Sequence, residues 1–433
     1  MNGALTRWEE LTRRTLEEVE RCEPIYRPTS FWGPGVRTIL DDLAGLGLER
    51  FKSWPSAGIW FYPTYGGGLV SATIDAAFET AHRLDDHVHR PWFRAALAGG
   101  SQARRDFDAA RLAWDQARWP FDLEGLAESA AGAPPQGFPL STRSAARWTR
   151  PYLNYLLCLA GLSRHVDAPP KRFLELGGGY GVLGEIVLSR DPDAVYVDLD
   201  LPPLLTVASS YLDTLFGDRV ATYESMPEAG PLAIDGSACL PNWRFRDIRG
   251  PFDVFVNSFS FQEMEPDVVE RYASDVAALD VTWVVSLNSR AGKPVQDADN
   301  AIGVRDQVKS QGIVEIFEAI GYRHVATYAD PLIQHKGELA ILRRDDGSRG
   351  AGSPVRTAAG MGGAADGPRP SVDLRRAFVA PTKEERKAAR RAEKGRHDGQ
   401  RGPRRRARHK ARRGLGGRVR GLVRSLRRRL RFR

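Results

Sequence analysis

The chain has 433 residues, of which 42% are hydrophobic, and this is enough to bury a full core in more than one structural unit. Its net charge of +9 is uneven: residues 383–433 carry +19, which leaves −10 for residues 1–382 and argues against nucleic-acid binding by that part. Three widely spaced cysteines argue against a disulfide framework, and the lack of a signal-like start or of about 18 consecutive apolar residues predicts a cytoplasmic protein without a membrane span.

Residues 1–165 have the pattern of a mainly helical domain, which we expect to serve as a substrate lid or an oligomerisation surface. Apolar residues recur there at three- and four-residue spacing, as one-faced helices require. The predicted helices include Leu5–Glu20, Gly67–Leu84 and Ala145–Val166. Aromatic clusters at Tyr26–Trp32 and Trp60–Tyr65 are typical of a small domain's core, although aromatic platforms also suit sugars.

Residues 166–345 alternate short β-rich runs with helical stretches, which predicts a doubly wound, mainly parallel α/β sheet of seven strands. The predicted strands are Arg172–Leu176, Ala194–Leu199, Val220–Tyr223, Phe252–Asn257, Val281–Leu287, His324–Tyr328 and Glu338–Leu342. The predicted helices are Gly181–Ser189, Pro203–Leu215, Pro266–Ala278 and Arg305–Ile320. No convincing helix separates the last two strands, so we expect them to form an antiparallel pair.

Residues 346–382 are rich in glycine, alanine and proline and have no periodicity, which predicts a disordered linker. The basic tail 383–433 ends in an apolar stripe at helical spacing, with arginines on the opposite face. The stripe consists of Leu415, Val419, Leu422, Val423, Leu426 and Leu430. This pattern favours an interfacial helix at an anionic membrane surface over a nucleic-acid contact, because the tail lacks an aromatic-interleaved surface for stacking and Phe432 is the only aromatic residue nearby. The protein would then be peripheral at the inner membrane face.

The glycine-rich turn Gly177–Gly181 directly follows a predicted strand and precedes a predicted helix. Its glycines (Gly177, Gly178, Gly179 and Gly181) allow a tight turn and the close approach of a ligand to the main chain. The next strand ends in Asp198 and Asp200, and a carboxylate there can accept hydrogen bonds from both hydroxyls of a ribose. The pattern is compatible with S-adenosylmethionine, with a nicotinamide dinucleotide through the match of 179–184 to GxGxxG, or with a purely structural turn.

Two observations favour S-adenosylmethionine. Glu175 lies just before the turn, where a carboxylate could help hold a cationic amino acid moiety but would repel a pyrophosphate. The closing antiparallel pair also suits a seven-stranded methyltransferase sheet better than a six-stranded dinucleotide fold.

The sequence ELGGGYG at 175–181 resembles motif I of class I methyltransferases, and Asp200-Leu201-Pro202 resembles their acid-ending second strand. The stretch NSFSFQEM at 257–264 is similar to the fourth-strand signature of the putative sugar O-methyltransferases. The segments Ser30–Trp32 and Gly47–Phe51 resemble the N-terminal region of that family. The resemblance spans residues 26–344 and implies a Rossmann-like fold, S-adenosylmethionine as the cofactor and a sugar-containing acceptor.

Methyl transfer to a sugar hydroxyl needs in-line placement of the oxygen and help with its deprotonation. Glu263 is our first candidate base and His335 the second, while Asn257 is expected beside the cofactor. Glu263 could instead stabilise the start of the helix that follows it. We expect no structural metal, although a catalytic Mg²⁺ held by carboxylates distant in sequence stays open, as do the oligomeric state and a non-catalytic binding role.

Overall fold

A computed structural model describes residues 6–63, 100–119, 126–134, 138–139, 147–227, 229–297, 302–329 and 336–345. The predicted helix Gly67–Leu84, the linker 346–382 and the basic tail 383–433 lie outside these residues. None of the helices in the described ranges is long and apolar enough to cross a membrane. The domain boundaries at 165, 345 and 382 stay predictions.

The N-terminal part is helical, as predicted. Its helices are α1 (Arg7–Val19), α2 (Trp32–Leu46), α3 (Ala57–Trp60), α4 (Gly100–Asp115) and α5 (Arg150–Ser163), and the pair β1 (Phe138–Pro139) and β2 (Arg147–Trp148) precedes α5. Helix α1 begins after a capping box, in which the Thr6 side chain accepts a hydrogen bond from the Glu9 backbone and the Glu9 carboxylate accepts one from the Thr6 backbone. Helix α5 is buried along most of its length, which its nearly continuous apolar sequence explains.

The following part alternates strands and helices, as predicted. Its strands are β3 (Arg172–Leu176), β4 (Val195–Asp200), β5 (Val220–Ala221), β6 (Leu232–Ala233), β7 (Ser237–Pro241), β8 (Ile248–Arg249), β9 (Val254–Ser258), β10 (Trp283–Ser289), β11 (Tyr322–Tyr328) and β12 (Gly337–Arg344). Its α-helices are α6 (Val182–Arg190), α7 (Leu204–Phe216), α8 (Pro266–Ala278) and α9 (Ser310–Ala319).

Eight of these strands form one sheet in the order β11-β12-β10-β9-β3-β4-β7-β5. Strand β12 runs antiparallel to both β10 and β11, which is the closing arrangement that the sequence predicts, while the other neighbouring pairs are parallel. The fold is therefore a mixed α/β, Rossmann-like sheet with a helical N-terminal region. The predicted count of seven strands was wrong, because β7 lies between β4 and β5. Its sequence SACLP lacks both the β-branched residues and the alternation by which strands are recognised.

The parallel register brings the carboxyl ends of β3, β4 and β9 to one edge of the sheet. Glu175 on β3 lies opposite Asp198 on β4 and Val256 on β9. The Gly177 backbone N–H donates to the Leu199 carbonyl oxygen at 2.8 Å, so the glycine turn begins where the β4 strand is ending. Ligands of open α/β sheets bind at such an edge.

The N-terminal segment packs across this edge through contacts with residues far along the chain. The Thr12 and Thr206 hydroxyls lie 2.8 Å apart, and the Tyr26 hydroxyl donates to the Asp275 carboxylate at 2.8 Å. The Thr29 hydroxyl donates to the Glu263 carbonyl oxygen, also at 2.8 Å. The N-terminal segment is thus part of the wall of the site.

Candidate active site

A cavity of ≈ 240 Å³ opens at the carboxyl edge of the sheet, above the glycine turn. Its floor is formed by Gly177, Gly178 and Gly179, and the end of β4 contributes Asp200. The N-terminal segment covers it with Trp32, Trp60 and Phe61, and the region after β9 contributes Gln262 and Glu263. The cavity therefore joins segments that are far apart in sequence.

The turn requires glycine for two reasons, which are positive φ angles and the lack of space for a Cβ atom. Gly177, Gly179 and Gly181 have φ of +75°, +68° and +84°, in the left-handed region that side chains rarely adopt. At Gly178 a Cβ atom would lie only 2.5 Å from the Asp198 Oδ1 atom and 2.9 Å from the Glu175 Oε2 atom. The turn thus lies directly on two carboxylates.

The three predicted cofactor carboxylates have different surroundings. Glu175 and Asp198 are fully buried beneath the turn and do not line the cavity, whereas Asp200 does. The Asp200 carboxylate accepts hydrogen bonds from the Gly179 backbone N–H at 2.8 Å and the Leu201 backbone N–H at 2.6 Å. Of the two aspartates, Asp200 is therefore the one placed to meet a ligand.

Glu175 and Asp198 support the turn from below. The Tyr196 hydroxyl donates to the Glu175 carboxylate at 2.6 Å, and the Gly178 backbone N–H donates to the Asp198 carboxylate at 3.2 Å. Burial raises the pKa of Glu175 to about 7, against hydrogen bonds from Tyr155 and Tyr196 that favour its anion. The pKa values of Asp198 and Asp200 are also raised, mainly by burial.

Asn257 lies in the network that shapes the edge and does not line the cavity. Its side-chain amide donates to the Leu176 carbonyl oxygen at 3.1 Å, and its Oδ1 atom accepts from the Phe261 backbone N–H and the Asn288 amide, each at 3.0 Å. The nearby Phe259 lines the cavity and has a φ of +61°, a strained conformation for an aromatic residue.

Glu263 lines the cavity and is nine-tenths buried. Its Oε1 atom lies 2.8 Å from the Lys293 Nζ atom, and Lys293 lines the same cavity. Burial raises the pKa of Glu263, while the charge of Lys293 and hydrogen bonds from Lys293 and Trp32 oppose that rise. Glu263 is thus a carboxylate with proton affinity above the ordinary and direct access to the ligand space.

Asn242 and Lys293 line the cavity, and the sequence analysis did not single them out. Lys293 follows β10 in a loop whose sequence carries no motif. Asn242 follows β7, the strand that was missed, and its Oδ1 atom is buried without a hydrogen-bond partner in the described part of the chain. Recognition of β7 would have drawn attention to Asn242, since strand ends at this edge carry the site.

A second cluster of polar side chains lies behind the turn. It consists of Lys52, Glu128, Glu185 and Tyr211, and we call it the sealed cluster. The Lys52 Nζ atom lies 2.6 Å from the Glu128 Oε1 atom and donates to the Tyr211 hydroxyl at 2.9 Å. The Tyr211 hydroxyl donates to the Glu185 carboxylate at 2.7 Å. Burial, then the neighbouring Glu128, raises the pKa of Glu185. None of these four residues lines the cavity.

His335 lies outside the described residues. Within the described ranges, no group of three or more His, Cys, Asp or Glu side chains could hold a metal ion, so the geometry gives the open Mg²⁺ option no support.

Comparison with protein-family models and with curated proteins finds no match. Solved structures that are similar include the mitomycin 7-O-methyltransferase MmcR, at 13% identity over 78% of this chain and 69% of that chain, with a TM-score of 0.31. The pyocyanin biosynthetic protein PhzM matches at 15% identity over 44% of this chain and 57% of that chain, with a TM-score of 0.31. The 1,6-didemethyltoxoflavin-N1-methyltransferase of Burkholderia thailandensis, solved with S-adenosylhomocysteine, matches at 15% identity over 44% of this chain and 77% of that chain, with a TM-score of 0.32.

Proposed function

We propose that this chain is an O-methyltransferase that transfers a methyl group from S-adenosylmethionine to a hydroxyl group of a sugar-containing acceptor. One observation carries the proposal: a single cavity brings together the glycine turn, the Asp200 carboxylate and the Glu263 carboxylate. The first two suit a nucleoside, and the third suits deprotonation of an acceptor beside it. The sugar acceptor rests on the resemblance of residues 257–264 and is supported by the aromatic lining.

The lining residues fit the cofactor. Asp200 can accept hydrogen bonds from ribose hydroxyls, and the unpartnered Asn242 Oδ1 atom can accept one from an adenine amino group. When bound, S-adenosylmethionine supplies an electrophilic methyl carbon. Trp32, Trp60 and Phe61 exclude water and offer faces for a sugar ring, while Glu263 takes the proton of the acceptor hydroxyl.

The competing proposal of a nicotinamide-dependent oxidoreductase rests on the GxGxxG match. Its third glycine, Gly184, has a packing explanation that needs no dinucleotide. A Cβ atom there would lie 2.5 Å from the Tyr196 ring, so glycine is required for helix α6 to pack against β4. The buried carboxylates of Glu175 and Asp198 beneath the turn would also disfavour a pyrophosphate.

Calorimetry with S-adenosylmethionine, S-adenosylhomocysteine, NAD⁺ and NADH tests the choice of cofactor. We expect binding of the first two; binding of a dinucleotide without binding of S-adenosylhomocysteine would favour the oxidoreductase. Transfer of a labelled methyl group into the host's glycan and lipid extracts then tests the reaction. If the cofactor binds but neither the wild type nor Glu263→Gln labels any acceptor, the chain is a non-catalytic binding module.

For the basic tail we propose contact with an anionic membrane surface, on the basis of its net charge and its apolar stripe. Co-sedimentation with anionic and with neutral vesicles tests this proposal. The full chain is compared with one that ends at residue 382 and so lacks the basic tail. Equal binding of the two chains would refute the proposal.

A further inference from the structure

The ion pair between Glu263 and Lys293 is part of the cavity wall. The Lys293 side chain is 27% exposed and the Glu263 side chain 10%, and both line the cavity. They come from the regions that follow β9 and β10, which are parallel neighbours in the sheet. The carboxyl ends of these strands therefore deliver a base and a cation to the same place.

The position of Lys293 is fixed by two contacts and by the conformation of the preceding residue. Its carbonyl oxygen accepts a hydrogen bond from the Gln307 side-chain amide at 2.6 Å. The preceding Gly292 has a φ of +70°, and a Cβ atom there would lie 2.5 Å from the Val308 carbonyl oxygen. The Nζ atom lies 4.4 Å from the centre of the Phe31 ring, in a cation–π arrangement. A lysine placed only for solubility would not need such support.

The Glu263 backbone is held as firmly. Its N–H donates to the Ser260 carbonyl oxygen at 3.0 Å, and its own carbonyl oxygen accepts from the Thr29 hydroxyl. The charged residues of the described chain that line the cavity are Arg27, Asp200, Glu263 and Lys293. Burial raises the pKa of Asp200, and the charges of Glu175 and Glu263 raise it further.

We propose that Lys293 is a positioning residue that holds Glu263 in place as an anion, ready to accept the proton of the acceptor hydroxyl. The inference rests on the proposed function, in which Glu263 is the base. In the transfer step the acceptor O–H bond breaks and its proton moves to Glu263. The acceptor oxygen bonds to the methyl carbon, and the electrons of the broken carbon–sulfur bond stay on sulfur. The Lys293 side chain attracts the anionic form of Glu263 more than the protonated form, so it stabilises the base most strongly before the proton arrives.

The first test is the pH profile of methyl transfer by Lys293→Met and Lys293→Arg. Because Lys293→Met removes the cation that opposes the effect of burial, we expect the acidic limb of kcat to move up by about one pH unit or more. At about pH 7 the rate should fall by roughly 10- to 100-fold. Lys293→Arg should restore most of the rate, and the affinity for S-adenosylhomocysteine should change by less than about threefold in both variants. An unmoved acidic limb in Lys293→Met would overturn the proposal.

The second test does not depend on activity. Without Lys293, Glu263 has a pKa raised further above its unfolded value, so its contribution to stability is present at low pH and is lost as the pH rises. Lys293→Met should therefore lose more unfolding free energy, relative to wild type, at about pH 8.5 than at about pH 6. The double variant Lys293→Met/Glu263→Gln should not show this extra loss. Equal pH dependence in the single and double variants would overturn the proposal, whether or not the enzyme methylates a sugar. A wild-type chain that binds no S-adenosylhomocysteine would overturn the proposed function and leave the stability result standing.

Discussion

Two lysine–glutamate pairs in the described part of the chain have the same chemistry in opposite settings. In the sealed cluster the Lys52 and Glu128 side chains are 0% and 1% exposed, whereas Lys293 and Glu263 border the cavity. Lys52 and Glu128 both belong to the N-terminal region, whereas Glu263 and Lys293 both follow strands of the sheet. The difference between them is access to water and ligand.

The two pairs also differ in how many of their polar atoms have hydrogen-bond partners within the protein. Glu128 accepts hydrogen bonds from Tyr62, Tyr180 and Thr149, and Lys52 donates to the Tyr211 hydroxyl as well. Every strong partner is already within the protein, so the sealed pair can act on nothing else. The pair at the cavity leaves room for a ligand. An ion pair whose hydrogen-bonding atoms all have protein partners therefore serves the fold, whereas one with atoms open to a ligand can serve a reaction.

The largest effect is expected from breaking the sealed pair. Lys52→Met leaves the Glu128 and Glu185 carboxylates buried without a cation, so we expect a loss of about 3–5 kcal/mol of unfolding free energy. Urea denaturation followed by circular dichroism measures it. Lys171→Met is the matched control, because its ion pair with Asp191 is at the surface and its loss should leave the midpoint nearly unchanged. Equal midpoints for the two variants would show that burial does not distinguish the stability contributions of the two ion pairs.

The contrast between open and sealed groups extends to the two aspartates of β4. Asp200→Asn should weaken S-adenosylhomocysteine binding by roughly 10- to 100-fold, because Asp200 lines the cavity and an amide is a poorer acceptor for two hydroxyl donors. Asp198→Asn should change the affinity by less than about threefold. Calorimetry at one pH measures both, and a larger effect at Asp198 would refute the assignment of the ribose to Asp200.

A smaller effect, which depends on pH, should come from the excess negative charge of the sealed cluster. The pKa of Glu185 is raised above its unfolded value, so the stability it contributes is greatest at low pH and is lost as the pH rises. Wild-type unfolding free energy should therefore fall between about pH 5 and pH 8, and Glu185→Gln should fall less. Parallel curves for the two proteins would show that Glu185 does not take up the proton.

The smallest effect is expected at the surface. Arg7 pairs with Asp213 at 3.1 Å and with Glu224 at 2.9 Å, but its side chain is half exposed. We expect Arg7→Ala to cost at most about 1 kcal/mol, and less in high salt. Denaturation at low and high ionic strength measures this cost. If Arg7→Ala lost as much unfolding free energy as Lys52→Met, solvent exposure would not explain the different contributions of these ion pairs.

The sequence predicted the features that depend on local pattern. The strand–helix alternation, the antiparallel closure and the glycine turn follow from periodicity and from the conformational needs of glycine, and the structure confirms them. Strand β7 was not predicted because its sequence SACLP has neither β-branched residues nor alternation. Asn242 was not predicted either, because a residue at this edge can be identified as a site residue only when the strand before it is recognised. The role of each predicted carboxylate as a ligand contact stays a prediction.

The ion pairs could not be predicted for a different reason. Lys293 and Glu263 are brought together by adjacent strands, and Lys52 meets Glu128 across a connection that includes residues outside the described ranges. The sequence separations of these paired residues match no motif. Such contacts depend on the register of the sheet and on the course of the chain around the cavity. The sequence therefore predicts which edge of the sheet carries the site more readily than it predicts the electrostatic partners of the residues there.

The contact between Thr29 and the Glu263 carbonyl oxygen, which are 234 residues apart, has a consequence for biosynthesis. The N-terminal segment leaves the ribosome first, yet the surface on which it docks is completed roughly 10–50 s later at ordinary rates of translation. Leu11 and Tyr26 belong to a core cluster whose other buried members begin at Leu174, so their apolar faces stay uncovered until that later part of the chain is made. Contacts this distant in sequence also slow folding of the finished chain. We therefore expect the nascent chain to be a client of chaperones, and the cavity to be the last part of the molecule to form.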